Sequence, residues 1–267
     1  QYQYGWREMI KRPVFIIGAP RSGTSLMQKI VREHPAFWSP PDEYDIIWNH
    51  YCHPKLRQWE SDAMGVGDLK PGDREMIHEM FEKYSCPSRL WGVIDREIRG
   101  WSLGRILRSK WMRKISRVTY QVVSPVLRSG WIGESDSRLA NKSVHHCFRL
   151  PYLLALFPDA QFIYMIREGP NNVSSLINGW RNPYKNFTYE PPVNLNIRGY
   201  DDSHRWNFTL PPGWRDYINR PLEEVCAFQW ISSHKAVLNE IEKSEFSKRV
   251  IRIKLEDIGT DPALCLL

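Results

Sequence analysis

An apolar run near the amino end breaks into a loop of small and hydroxyl residues that could bind an anion. Residues 14–17 can form a buried strand, and residues 26–31 can continue as a helix. The loop between them, 18–24, would direct several backbone N–H groups and a helix N-terminus at one spot, which suits a phosphate group. Arg21 adds a positive charge. Three hydroxyl donors accompany it, namely Ser22, Thr24 and Ser25. The pattern predicts a site for a phosphorylated nucleotide.

The loop departs from the Walker A pattern G-x-x-x-x-G-K-[ST] at a chemically important position. Gly18 and Gly23 have the required spacing, but Thr24 stands where the lysine of that pattern should be. A kinase also needs a metal-binding aspartate at the end of a neighbouring strand. The strand predicted at 161–166 is followed instead by Arg167. The sequence therefore keeps a phosphate-binding loop, lacks the residues that hold magnesium, and predicts no metal site.

A second candidate anion contact follows the strand at 161–166. Arg167 leaves the carboxyl end of that strand, and Pro170 suits the first turn of a helix. Ser175 falls just over one turn into this helix, where it can face the same phosphate as Arg167. The planar guanidinium of arginine can bind two phosphate oxygens at once.

Both segments resemble motifs of sulfotransferases that use 3′-phosphoadenosine 5′-phosphosulfate (PAPS). Residues 20–25, Pro-Arg-Ser-Gly-Thr-Ser, resemble the family's 5′-phosphosulfate loop, P-[KR]-S-G-T-[TS]. Residues 160–169 resemble the strand that ends in R-[DNE]-[PG] and leads to a serine eight residues after the arginine. The resemblance implies that Arg167 and Ser175 bind the 3′-phosphate. It assigns the 5′-phosphosulfate to the loop residues Arg21, Ser22, Gly23, Thr24 and Ser25.

A third resemblance concerns the catalytic groups. Residues 141–145, Asn-Lys-Ser-Val-His, are similar to the family's K-[ST]-P-x-H segment, with valine in place of proline. This implies that Lys142 approaches the transferred sulfuryl group and that His145 faces the acceptor as the general base. Glu43 resembles the glutamate that tyrosylprotein and related sulfotransferases place after the first helix, with Asp42 as the alternative register. Imidazole suits proton transfer near neutral pH and favours His145, but both His145 and Glu43 stay open as the base.

The same resemblance implies an α/β fold of the P-loop NTPase type, with three layers and a central parallel sheet flanked by helices. The chain length suits one domain over 1–267, although family members usually extend past this carboxyl end. The long aromatic-rich stretch 181–220 is expected to cover the acceptor cleft. Further helices are predicted at 22–33, 71–83, within 95–128 and at 221–243, with a strand at 249–255.

The bulk composition limits the choice of partners. The net charge of +7 suits a polyanionic donor, while the dispersed basic residues, without a recognition motif, argue against nucleic acid. Five cysteines without a CxxC motif indicate neither a disulfide framework nor a zinc site. No apolar run reaches the roughly 18 residues of a membrane span, and the amino end lacks a signal-peptide core.

The sequence gives only indirect information about the cellular compartment of the protein. Two of the four N-x-[ST] triplets, at Asn141 and Asn172, fall inside the expected donor site, where a glycan would be hard to accommodate. This favours a cytoplasmic protein, with a Golgi lumenal domain separated from its anchor as the alternative.

The expected activity is metal-independent transfer of a sulfuryl group from PAPS to a hydroxyl or amine. The acceptor classes that remain open are small molecules, carbohydrates and lipid alcohols, because all of them can stack on aromatic side chains. Two alternatives belong to other classes. One is a nucleoside or small-molecule kinase of the P-loop type, and the other is a non-catalytic protein that binds an anionic nucleotide or glycan.

Overall fold

The computed structural model describes residues 10–34, 36–39, 45–84, 138–182 and 188–260. The strands are β1 (Val14–Gly18), β2 (Phe37–Trp38), β3 (Arg138–Lys142), β4 (Gln161–Ile166), β5 (Thr188–Tyr189), β6 (Trp206–Asn207) and β7 (Val250–Lys254). The helices are α1 (Thr24–Glu33), α2 (Asp45–Cys52), α3 (Asp73–Tyr84), α4 (Leu150–Leu156), α5 (Gly169–Trp180), α6 (Leu222–Ile241), α7 (Ser244–Ser247) and α8 (Leu255–Thr260). The helices predicted within 95–128 lie outside the described residues, as do Asp42 and Glu43.

Five strands form one parallel sheet in the order β2-β3-β1-β4-β7. The central strand β1 is buried along its whole length, as its continuous apolar run predicts for a strand covered on both faces. Its register pairs Ile16 with Lys142 on one side and with Ile163 on the other. Because all the strands are parallel, the segments that follow β1, β3 and β4 emerge at the same edge of the sheet, where α/β folds place their ligands.

Helices cover both faces of this sheet. Phe15 and Ile17 point to one face, where they join a core with residues from α2, α3, α4 and α6. Ile16 points to the other face and packs with Met27 and Val31 of α1. This alternation follows from the two-residue period of a strand. The predicted three-layer fold with a central parallel sheet is confirmed.

The stretch 181–220 contributes to a second apolar core. Trp206, Trp214 and Tyr189 are buried there with residues of α5 and α6. Gln229 of α6 joins this core to the backbone, because its Nε2 donates to the carbonyls of Asn207 and Thr209, at 2.8 and 2.7 Å. Rings buried in this way stabilise the fold.

The boundaries of the predicted elements shift by a few residues. The helix predicted at 22–33 begins at Thr24, because Arg21 and Gly23 both adopt left-handed backbone angles, with φ of 69° and 92°. The helix predicted at 221–243 is observed as Leu222–Ile241. Within the described ranges, no helix combines the length and apolar character needed to cross a bilayer.

Candidate active site

The loop between β1 and α1 forms a tight turn that leaves the first amides of α1 directed outward. The Ser22 N–H donates to the Ala19 carbonyl at 3.1 Å, which closes the turn. The Leu26 and Met27 N–H groups both donate to the Gly23 carbonyl at 3.0 Å. The preceding amides, those of Thr24 and Ser25, belong to the open first turn of the helix, where N–H groups and the helix dipole favour an anion.

Glycine is required in this loop by close approach as well as by backbone angle. A Cβ on Gly18 would lie 2.6 Å from the Met165 carbonyl oxygen and from Ser22 Oγ. A Cβ on Gly23 would lie 2.5 Å from Cδ1 of Leu255, the residue that follows β7. The loop is therefore pressed against the ends of β4 and β7. Ser22 is fully buried under it, and its Oγ has no hydrogen-bond partner among the described residues.

The two expected phosphate contacts meet at this loop. Arg21 Nε donates to Ser175 Oγ on α5 at 3.2 Å. Arg167 Nη1, at the end of β4, donates to the Arg21 carbonyl at 3.1 Å. Arg21 is exposed, whereas Arg167 and Ser175 are partly buried. Residues that lie about 150 positions apart in the chain thus form one cationic surface beside the helix N-terminus.

Lys142 and His145 lie at the end of the neighbouring strand β3. Lys142 is the last residue of β3, pairs in register with Ile16 and is 5% exposed. Ser143 begins the short helical turn Val144–Phe148, and its Oγ accepts the His145 N–H at 3.3 Å. The same sheet edge therefore carries the loop after β1, Lys142 and His145 after β3, and Arg167 after β4.

The His145 ring lies in a buried polar cluster with Asp62, Arg149 and Tyr189. His145 Nδ1 is 3.0 Å from Asp62 Oδ2, and Arg149 Nη2 donates to Asp62 Oδ1 at 2.9 Å. The Tyr189 hydroxyl donates to Asp62 Oδ1, and the Leu210 N–H donates to Oδ2 at 2.6 Å. Burial alone would raise the pKa of Asp62, but His145, Arg149 and the Leu210 amide outweigh it and lower the pKa to about 2.

Sequence reasoning missed Asp62 and Arg149 entirely. Asp62 lies in a segment that matches no motif, 83 positions from His145. Arg149 stands immediately before the apolar run of α4, where a charged residue that is only 2% exposed is unusual and could have raised a question. Tyr189 belongs to the aromatic stretch 181–220 but differs from its buried tryptophans, because its hydroxyl reaches the polar cluster around Asp62 and His145.

Glu43, the other candidate base, lies outside the described residues. The chain is described again from Asp45, where α2 begins. Trp48 of α2 donates its Nε1–H to Asn141 Oδ1 at 3.1 Å, and Asn141 immediately precedes Lys142. Among the described residues, no group of three or more His, Cys, Asp or Glu side chains is arranged to hold a metal ion.

The chain is similar to several known proteins. The chain is 22% identical over 172 residues to the nodulation protein NoeE of Sinorhizobium fredii (strain NBRC 101917 / NGR234), which is 64% of this chain but only 32% of NoeE. Among solved structures it resembles the sulfotransferase domain from the curacin biosynthetic pathway, with 17% identity, a TM-score of 0.47, and coverage of 97% of this chain and 72% of that one. It also resembles the sulfotransferase domain of the Synechococcus PCC 7002 olefin synthase, with 15% identity, a TM-score of 0.45, and coverage of 100% and 74%.

The family model described as the sulfotransferase family matches residues 13–215. This range includes the loop after β1, Lys142, His145, Arg167 and Ser175. The chain therefore belongs to the sulfotransferase family, and the resemblance found in the sequence motifs is confirmed.

Proposed function

We propose that this chain transfers a sulfuryl group from PAPS to a hydroxyl or amine of its acceptor without a divalent metal. The observation that carries the proposal is the contact between the loop after β1 and the Arg167–Ser175 pair. Two hydrogen bonds join them, from Arg21 Nε to Ser175 Oγ and from Arg167 Nη1 to the Arg21 carbonyl. A nucleotide with phosphate at both its 5′ and 3′ positions matches a surface with two adjacent anion contacts.

The described residues fit such a donor. Arg21, Ser22, Gly23, Thr24 and Ser25 hold the 5′-phosphosulfate, through the open amides of the first turn of α1 and the Arg21 guanidinium. Arg167 and Ser175 hold the 3′-phosphate. The buried Ser22 hydroxyl has no hydrogen-bond partner among the described residues, and Ser22 contributes to this site through its place in the turn.

The donor supplies a sulfuryl group attached to a phosphate leaving group. In the transfer, the bond between sulfur and the bridging phosphate oxygen breaks and its electron pair stays on that oxygen. The acceptor oxygen or nitrogen forms the new bond to sulfur. Because a sulfuryl group has less negative charge than a phosphoryl group, Arg21, Lys142 and the loop amides can stabilise the departing charge in place of magnesium.

The acceptor proton passes to a general base, for which His145 and Glu43 are the candidates. His145 shares the sheet edge with Lys142 and is 4% exposed. Tyr189 connects this base to the stretch 181–220, which we propose forms the acceptor side of the site. The acceptor is a small molecule, carbohydrate or lipid alcohol, and the bacterial origin of the relatives favours the cytoplasm over a Golgi lumen as the compartment.

Paired calorimetry tests the donor assignment. The chain is titrated in EDTA with 3′,5′-ADP (PAP, the nucleotide product) and, separately, with ATP. We expect micromolar affinity for PAP and no measurable binding of ATP. ³⁵S-labelled PAPS is then offered with pools of alcohols, phenols, sugars and amines, and label should appear in an acceptor without added metal.

Three results would contradict the proposal. Magnesium-dependent ATP binding with phosphate transfer would assign the chain to the kinases. PAP binding without label transfer to any pool would favour a non-catalytic nucleotide-binding protein. If the chain does not bind PAP, the assignment of the donor site is wrong.

A further inference from the structure

The carboxylate of Asp62 is the centre of the buried cluster beside His145. Asp62 is completely buried, and its two oxygens accept hydrogen bonds from Arg149, Tyr189 and the Leu210 amide as well as from His145 Nδ1. Its backbone N–H also donates to the Leu210 carbonyl at 2.7 Å. Every face of this carboxylate is therefore engaged, which leaves it little freedom to rotate.

The charge on Asp62 determines where the proton on His145 lies. An ionised carboxylate can only accept hydrogen bonds. His145 Nδ1 lies 3.0 Å from Asp62 Oδ2 and must therefore be the protonated nitrogen of the neutral ring. The lone pair that can take a proton from an acceptor is then on Nε2, the nitrogen on the opposite side of the ring.

Arg149 is a second positively charged partner of the Asp62 carboxylate, beside His145. A buried aspartate next to a histidine tends to hold that histidine as imidazolium, because the two charges balance each other. Here the buried Arg149 guanidinium donates to Asp62 Oδ1 at 2.9 Å and forms an ion pair with the carboxylate. The carboxylate therefore has a permanent cationic partner in Arg149, and it can also stabilise the imidazolium that forms when His145 takes a proton.

Asp62 also ties His145 to the acceptor side of the molecule. Tyr189 and Leu210 belong to the stretch 181–220, and both donate to the same carboxylate that binds His145. Arg149, four residues after His145, is connected to the Asp62 carbonyl through its Nε at 3.2 Å. The base and the stretch that is proposed to hold the acceptor thus share one buried anchor.

We infer that Asp62 is the positioning residue for His145, holding the ring in the tautomer whose Nε2 takes the proton of the acceptor. This inference rests on the proposed function, in which His145 is the base. During transfer the acceptor O–H bond breaks, its proton binds Nε2, and the acceptor oxygen forms the bond to sulfur. Asp62 stays ionised throughout and stabilises the positive ring.

The first test needs no substitution at Asp62. ¹⁵N chemical shifts of the histidine rings in the full chain report the tautomer of each neutral imidazole, with His145 assigned from its absence in His145→Gln. We expect the proton on Nδ1. A neutral His145 that carries its proton on Nε2 would overturn the inference, whatever the variants show.

The second test uses Asp62→Asn, which keeps the shape and an acceptor oxygen but offers an N–H group to His145 Nδ1. The ring should switch to the Nε2-protonated tautomer, and single-turnover transfer should slow by about 10²–10⁴-fold. Affinity for PAP should stay within a few-fold.

Asp68→Asn is the matched control, because Asp68 makes the same kind of carboxylate-to-amide contact, to Gly65 N–H at 2.7 Å, away from the cluster. It should keep the wild-type rate. If Asp62→Asn switches the tautomer without slowing transfer, the positioning role is wrong. If the wild-type chain binds no PAP, the proposed function fails instead, and the two failures can be told apart. If Asp62→Asn does not fold, the tautomer of His145 in the wild-type chain decides whether the inference is right.

Discussion

The proposed donor side (the loop after β1 with Arg167 and Ser175) and the proposed base side (His145 with Asp62 and Arg149) are built in opposite ways. Arg21 is exposed, Arg167 is partly buried, and their contacts are hydrogen bonds at the surface. On the base side, Asp62 is fully buried and Arg149 is 2% exposed. One region keeps its charges near water, and the other removes them from it.

This difference suits the roles that we propose for the two regions. A nucleotide with several negative charges must enter and leave, so its binding groups have to remain reachable and only loosely committed to one another. A general base must be held in one orientation and one tautomer, which requires neighbours that do not rearrange. Burial supplies that rigidity, provided that every charge in the cluster is paired.

The largest expected effect separates the two candidate bases. The single-turnover rate of sulfuryl transfer should fall by about 10²–10⁴-fold in His145→Ala, because the acceptor proton then has no nearby base. In Glu43→Ala this rate should fall only a few-fold. His50→Ala is the control, since His50 is exposed at the end of α2. A large loss in Glu43→Ala alone would transfer the role of base to Glu43. If neither variant loses more than a few-fold, both assignments are wrong.

The next largest effect concerns the donor side. Arg167→Ala and Arg21→Ala should each weaken PAP binding by about 10–100-fold, because each removes a charge-assisted contact to phosphate. Arg32→Ala is the matched control, because this arginine is exposed in the last turn of α1, away from the loop. Calorimetry measures all three dissociation constants. If both site variants bind PAP with unchanged affinity, the donor-site assignment is wrong, and the assignment of the base is unaffected.

Acid should affect the base side through Asp62. Its pKa is lowered from 3.8 to about 2, so the ionised carboxylate contributes stability above pH 3.8 that is lost as the pH falls toward 2. The loss should be on the order of 2 kcal/mol in the free energy of unfolding. Between pH 5 and pH 2, the free energy of unfolding measured in urea should therefore fall less steeply for Asp62→Asn than for the wild type. A carboxyl ¹³C titration of Asp62 with its midpoint near pH 4 would contradict this.

The smallest effect concerns how the donor loop is supported. Gly23→Ala forces a Cβ into a left-handed backbone and to within 2.5 Å of Leu255 Cδ1. Gly72→Ala is the matched control, because Gly72 has φ of +87° but no atom within 4 Å of its would-be Cβ. Backbone strain should destabilise both by about 1–2 kcal/mol, and Gly23→Ala should lose more.

The double variant Gly23→Ala/Leu255→Ala isolates the steric part of that loss. It should relieve the clash, so its free energy of unfolding in urea should approach that of Gly72→Ala. Any remaining difference would come from the packing that is lost with the leucine side chain. Equal stability of Gly23→Ala and Gly72→Ala would mean that the contact with Leu255 does not constrain the loop.

Much of the donor side could be predicted because its residues are local. The loop after β1 is contiguous in the chain, and Arg167 and Ser175 are separated by just over two helical turns of sequence, so their types and spacing identify them together. The continuous apolar run of β1 likewise predicts a strand covered on both faces. The end of the predicted helix at 22–33 was right, but its start was not, because left-handed angles at Arg21 and Gly23 delay the helix.

The base side could not be predicted in the same way. His145 was found by its spacing to a motif, but Asp62 and Arg149 have no local signal for a shared role. The aromatic stretch 181–220 is predicted to cover the acceptor cleft, but its aromatic residues do not share one environment. Trp206 and Trp214 are core residues, and Tyr189 alone among these three contacts the cluster. Composition cannot separate such roles, because they depend on which face of the backbone each ring occupies.

By itself, the sequence determined the family and the parallel α/β fold, and it identified the residues expected to bind phosphate, since short-range spacing encodes a strand, a turn and the amides of a helix N-terminus. Only the tertiary structure decided that Arg21 lies against Ser175, that a carboxylate 83 positions away faces His145, and that Arg149 balances it. These facts depend on the order in which strands join a sheet and on which segments pack across its edge. Such long-range choices are governed by the burial of the whole chain, and no local pattern records them.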